Sequence, residues 1–160
     1  MKRLIAASLL ILACTSAFAF ENTDDIKVTP LLRTQTSWDG KPIVYPKGPA
    51  QVTAMTIEIA PGKETGWHSH PVPSFGFVLE GTLEVVLKDG SKKKFETGQA
   101  IPEVVDTSHN GRNVGTRPLK LLVVYAGTTE KAIMNKDEAP AKDDRKAPPA
   151  STEKPAKKTP

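Results

Sequence analysis

Residues 62–81 read GKETGWHSHPVPSFGFVLEG, with His68 and His70 at the centre. In an extended strand residues i and i+2 project from one face, so a His-Ser-His triplet presents two imidazoles to a single point. Downstream of the triplet, Phe75 to Leu79 and Leu83 to Leu87 carry apolar runs of strand length separated by Glu80-Gly81. Asp89-Gly90 then marks a hairpin turn leading into Lys92 to Phe95. Upstream, Val52 to Ile59 alternates apolar and polar residues and is closed by Pro61-Gly62. Leu119 to Ala126 is apolar on both parities, as in a strand buried on both faces. Turn residues recur every eight to twelve positions or so and no helical period is evident, so residues 30 to 128 read as an all-β sandwich or barrel.

The chain has three histidines, and the third, His109, follows the triplet by some forty residues. Three neutral imidazoles are a donor set for a divalent transition metal and leave coordination positions open to water or substrate. A closed structural zinc site would instead need a fourth ligand, often cysteine. The alternative is that the rings are hydrogen-bonded interior residues without a metal.

Residues 62–81 resemble the first motif of the cupin superfamily, G(X)5HXH(X)3,4E(X)6G, with Gly62, His68, His70 and Gly81 in register and Ser74 where the motif has glutamate. Residues 98–113, GQAIPEVVDTSHNGRN, resemble the second motif, G(X)5PXG(X)2H(X)3N. Gly98, His109 and Asn113 match it, whereas Val104 and Asp106 replace the proline and glycine. The resemblance implies a double-stranded β-helix, or jelly-roll barrel, with a metal held by His68, His70 and His109. The metal would be iron, manganese, nickel or zinc.

The motif's glutamate ligand has no counterpart at Ser74, because a serine hydroxyl is short and a poor ligand. Ser74 either leaves a gap for water or, with Gly76, widens the pocket for a substrate. Glu103 is the nearest acid in the second motif and the candidate catalytic proton carrier. Its parity with His109 would place both on one face if no turn intervened. Asp106 is a candidate for orienting a histidine from behind. Trp67 suits packing better than ligand binding. Phe75, Phe77 and Leu79 have the parity opposite to Ser74, so they need cover from the segment Leu31 to Trp38 or from a second copy. The resemblance makes a homodimer an expectation.

Residues 1–19 place Lys2 and Arg3 before an apolar run and end in Ala17-Phe18-Ala19, which reads as a signal peptide cleaved after Ala19. The run is too short for a membrane anchor, and no transmembrane segment is expected. Ile11-Leu12-Ala13-Cys14 loosely resembles a lipoprotein signal, a pattern that Leu12 fits poorly. The expected location is periplasmic or secreted. Cleavage after Ala19 would remove Cys14, the sole cysteine, and with it any disulfide chemistry. A barrel domain is expected over residues 20–130, followed by a disordered Pro/Lys/Ala-rich tail over 131–160. From Lys136 onward the composition has no large aliphatic or aromatic side chain with which to offset ordering entropy.

The formal charge of +4 resides in the ends, and residues 20–135 hold thirteen charges of each sign. No nucleic-acid-binding surface is implied. Two functions follow from the resemblance. One is a dioxygenase-like oxidoreductase acting on a small molecule. The other is a non-catalytic periplasmic protein that binds a metal or small molecule.

Overall fold

The computed structural model describes residues 22–140, so the expected signal peptide at 1–19 and most of the expected tail lie outside the described residues. Of the unit formed by residues 1–30, only 22–30 are described; there Thr23 and Ile26 close a short turn. The unit beginning at Leu31 contains nine strands and, among the described residues, no helix. The strands are β1 (Ala50–Ile59), β2 (His68–Ser69), β3 (Ser74–Glu80), β4 (Thr82–Leu87), β5 (Lys92–Glu96), β6 (Ala100–Pro102), β7 (His109–Asn113), β8 (Leu119–Thr128) and β9 (Asn135–Lys136). They form two antiparallel sheets, ordered β1-β8-β3-β6 and β5-β4-β7-β2-β9, in a jelly-roll arrangement.

Alternation along the strands builds the core. Met55, Ile57 and Ile59 of β1 point inward, while Val52, Ala54 and Thr56 are exposed. In β8, Leu119, Leu121, Val123 and Tyr125 are buried, but Leu122, Val124 and Ala126 on the other face are only half-buried. These inward residues join Val78 and Ile101 from the same sheet and Leu83, Val85 and Phe95 from the facing one. Each aliphatic side chain so buried contributes about 1.5–3 kcal/mol before entropy is counted. Phe75, on the outer face, is covered in part by the segment 34–45, where Thr36 pairs with Pro42 and Trp38 donates its amide to the Pro102 carbonyl at 2.9 Å.

Glu80-Gly81 is a corner rather than a hairpin, since β3 and β4 belong to different sheets. Gly81 has φ +87, and a Cβ there would come within 3.0 Å of both Leu119 Cα and the Pro118 carbonyl. Both the backbone conformation and the close crossing therefore require glycine. The Lys92–Lys94 run lies on β5, the edge strand, where exposed ammonium groups discourage further pairing.

Residues 131–140 of the expected tail are among those described. Asn135 and Lys136 pair with Ser69 and His68, the Asp137 amide donates to the Trp67 carbonyl at 2.9 Å, and Ile133 packs against the core. Ile133 supplies the apolar burial and β2 supplies backbone partners, which together outweigh the polar composition around them.

Candidate metal centre

The three histidines converge between the sheets. His68 and His109 are direct cross-strand partners on β2 and β7, with ring centroids 4.4 Å apart. His109 shares its face with Gly111, Asn113 and the inward Leu83, Val85 and Leu87 of β4. β2 stops after Ser69, yet the His70 ring still meets the others, with centroids 4.9 Å from His68 and 5.1 Å from His109. His70 and His109 are 2% and 4% exposed, and His68 is half-buried.

Each ring is anchored in the same way. Nδ1 of His68 faces the Gly66 carbonyl at 2.9 Å, Nδ1 of His70 the Ile133 carbonyl at 2.8 Å and Nδ1 of His109 the Thr107 carbonyl at 2.8 Å. A carbonyl oxygen can only accept, so Nδ1 must carry the proton, and in the neutral ring Nε2 presents a bare lone pair. Backbone carbonyls thereby fix the ring orientation that metal-bound histidines require.

One nitrogen from each ring lies within 4.8 Å of the others. Were every separation at that limit, a central ion would sit about 2.8 Å from each donor. An inward movement of about 0.7 Å brings this to the usual ~2.1 Å of a metal–imidazole bond. The donor set therefore fits a divalent transition metal, and these three residues can hold one.

A second row of side chains faces the rings from the other sheet. Tyr125 on β8 is the cross-strand neighbour of Ser74 on β3, and the Glu103 amide continues the pairing by donating to the Ser74 carbonyl at 3.0 Å. Ser74 Oγ donates to Glu103 Oε2 at 2.6 Å, and that oxygen lies 3.4 Å from His70 Nε2. The Tyr125 ring meets the His70 ring edge-on at a centroid distance of 5.2 Å.

Glu103 thus reaches the histidines, although not by the expected parity. Residues 105–108 interrupt the strand, and His109 belongs to the opposite sheet. The two meet because the sheets face each other. Nor do Ser74 and Gly76 open a pocket: a Cβ on Gly76 would lie 3.4 Å from Glu103 Oε1 and 3.3 Å from Ile101 Cδ1. The space those small residues leave is filled by Glu103 and Ile101. An open cavity of about 590 Å³, lined by residues including Trp38, Lys41, Leu87 and Asp106, contains none of the histidines.

Asp106 does not orient a histidine through its carboxylate, because carbonyls take all three Nδ1 protons. It is exposed, its amide donates to the His70 carbonyl at 2.9 Å, and its φ is +48. Aspartate tolerates this left-handed conformation better than most residues, which is why it can replace the glycine of the motif. Trp67 is half-buried and holds Asp137 through its carbonyl.

Two residues that shape the site carry no functional signal of their own in the sequence. Tyr125 is one more member of an apolar strand. Ile133 lies beyond the expected domain boundary at 130, where Ile133-Met134 is an aliphatic pair in an otherwise polar stretch and the one available signal.

Burial lowers the pKa of all three histidines from 6.5, and repulsion from a neighbouring imidazolium adds to the effect. Hydrogen bonds to the carbonyls and the Glu103 carboxylate oppose it without reversing it. Burial and the Glu103 charge push the Tyr125 phenol up to about 12, so it stays protonated. With the folded-state histidine pKa values depressed, the unfolded chain binds protons more readily as pH falls through the ordinary histidine range. Stability from this source is full above about pH 6.5 and is lost below it. The metal-free domain is expected to melt at lower temperature at pH 5.5 than at pH 7.5. An equal or higher midpoint at pH 5.5 would contradict this.

Residues 55–125 match the family model described as a cupin domain. The match marks this stretch of the chain as a cupin domain. The match runs from β1 into β8 and includes all three histidines, Ser74 and Glu103.

Among solved structures, the chain is similar to the DMSP lyase DddQ of Ruegeria pomeroyi, with 22% identity over 53% of this chain and 42% of that one, at a TM-score of 0.46. It is also similar to a conserved protein with a double-stranded β-helix domain from Klebsiella pneumoniae, with 19% identity over 59% of this chain and 91% of that one, at a TM-score of 0.46. A sugar phosphate isomerase of the cupin superfamily from Silicibacter pomeroyi gives 26% identity over 49% and 52%, at a TM-score of 0.43. The match spans under half the length of the lyase. No curated protein is significantly similar in sequence.

Proposed function

We propose that this chain is an exported cupin that holds one divalent transition metal on His68, His70 and His109 and acts on a small oxygen-bearing organic molecule in dioxygenase-type chemistry. The observation that carries the reading is the common anchoring of the rings, in which three carbonyl-bound Nδ1 protons leave three Nε2 lone pairs free, on rings that bring one nitrogen each within 4.8 Å of the others. When bound, iron, manganese or nickel would supply a Lewis acid with open positions for an organic oxygen donor and dioxygen. The chain's own part is to fix the rings and to keep water from them by burying His70, His109 and Tyr125.

A binding protein without turnover is the competing reading, and its ground in the sequence is the missing acid at Ser74. The Glu103 carboxylate beside Ser74 removes that ground. To test the proposal, the mature chain, expected to begin at Phe20, would be recovered from the periplasmic fraction and loaded with Fe(II). Oxygen uptake would then be followed against flavonoids, thiols and diketones. Consumption at least about tenfold above that of a variant lacking all three histidines is expected. Saturable binding with no consumption of any compound would overturn the enzymatic reading.

A further inference from the structure

We propose that Glu103 is a fourth protein ligand to the metal, standing in from the neighbouring strand for the glutamate absent at position 74, with Ser74 as the residue that positions it. The inference rests on the metal centre proposed above and changes the role of Glu103 from free proton carrier to ligand.

The first ground is an electrostatic mismatch. Glu103 Oε2 lies 3.4 Å from His70 Nε2, a nitrogen that in the neutral ring is bare because Nδ1 donates to the Ile133 carbonyl. A carboxylate oxygen and an imidazole lone pair are both acceptors and repel each other at this range unless a metal ion or a proton on Nε2 lies between them. Two donors each about 2.1 Å from one ion lie roughly 3.0–3.4 Å apart at octahedral or tetrahedral angles. The observed spacing falls at the upper end of that range.

The second ground is the way the carboxylate is held. The Glu103 amide donates to the Ser74 carbonyl, so the two residues oppose each other across adjacent strands and their side chains leave the same face. A carboxylate on β3 at position 74 and one on the adjoining strand at position 103 therefore reach the same space. Ser74 is 1% exposed and donates its hydroxyl to Oε2 at 2.6 Å, a short charge-assisted bond. Gly76 supplies the room, because Oε1 lies 3.4 Å from where its Cβ would be. Serine at 74 and glycine at 76 are thus the two small residues against which the carboxylate arriving from position 103 packs.

Ser74→Glu alone would place a second carboxylate against Glu103, so the informative variant is the exchange Ser74→Glu/Glu103→Ser. Co(II) is the probe, read by competition with a chromophoric chelator and by its visible ligand-field spectrum, with circular dichroism confirming the fold of each variant. Wild type is expected to bind about one Co(II) per chain. Glu103→Gln should bind at least about 100-fold more weakly with an altered spectrum, and Ser74→Ala about 10-fold more weakly. The exchange variant should recover most of the affinity lost in Glu103→Gln. Wild-type affinity and an unchanged spectrum in Glu103→Gln, with the histidine variants still losing Co(II), would overturn the role of Glu103 and leave the three-histidine centre standing. Failure of wild type itself to bind Co(II), or any other divalent transition metal, would overturn the centre and the inference together.

Discussion

His109→Ala is expected to lower the affinity for a divalent transition metal by at least about 100-fold, or ~2.7 kcal/mol, and to leave the purified protein nearly metal-free. His109 sits at the junction of the site's two local orders. It pairs directly with His68 across β2 and β7, and its Nδ1 proton is bound by the Thr107 carbonyl within its own loop. Removing the ring takes away one of the three imidazole donors and leaves that carbonyl without its ring partner. His70→Ala should behave similarly, since the ring is 2% exposed and anchored to Ile133. Elemental analysis of wild type and variants, after loading with each candidate metal, checks this. Equal metal content in wild type and the triple histidine variant would contradict it.

Asn113→Ala is expected to destabilise the domain by about 3 kcal/mol, seen as a fall of roughly 10–20 °C in thermal midpoint. Asn113 matches the last fixed position of the second motif, but its side chain points at backbone and not at the metal. Nδ2 donates to the Ile59 carbonyl and the Arg117 carbonyl, each at 2.8 Å, and Oδ1 accepts from the Gly115 amide at 2.9 Å. It ties the end of β1 to the turn between β7 and β8 at a site 2% exposed. Alanine would strand three polar groups, each costing about 1 kcal/mol or more. Asn113→Asp should also destabilise, because a carboxylate cannot donate to either carbonyl. A midpoint within about 3 °C of wild type for both variants would show that the clamp contributes little.

The strands were legible where apolar pattern and turn residues marked them. β1 follows from apolar residues at every second position, β3 and β4 from apolar runs between turn residues, β5 from the Asp89-Gly90 turn before it and β8 from a run apolar on both parities, while the jelly roll is what the resemblance to the two cupin motifs implies. β7 was not legible as a strand, because HNGRN has no apolar alternation; its inward positions are a histidine, a glycine and the Asn113 clamp. β2 and β9 are two residues each, too short to leave a period, and depend on pairing with strands distant in sequence.

The three ring-bearing residues could be named from the sequence because HXH and a third histidine at a set distance are a pattern of residue types. Their anchors could not be, because a carbonyl belongs to every residue and only the folded backbone decides which one meets Nδ1. The same holds for Glu103. Its arrival beside Ser74 depends on the register of two neighbouring strands, which neither segment encodes alone.

The most direct test is long-range ¹H–¹⁵N correlation of the imidazoles in ¹⁵N-histidine-labelled protein at pH 7.5, without metal and after one equivalent of Zn(II). Without metal, all three rings are expected in the form protonated on Nδ1, and one equivalent should move all three Nε2 resonances together to the metal-bound range. Rings protonated on Nε2, or Nε2 resonances that shift for only one ring or for none, would contradict a preformed three-histidine centre.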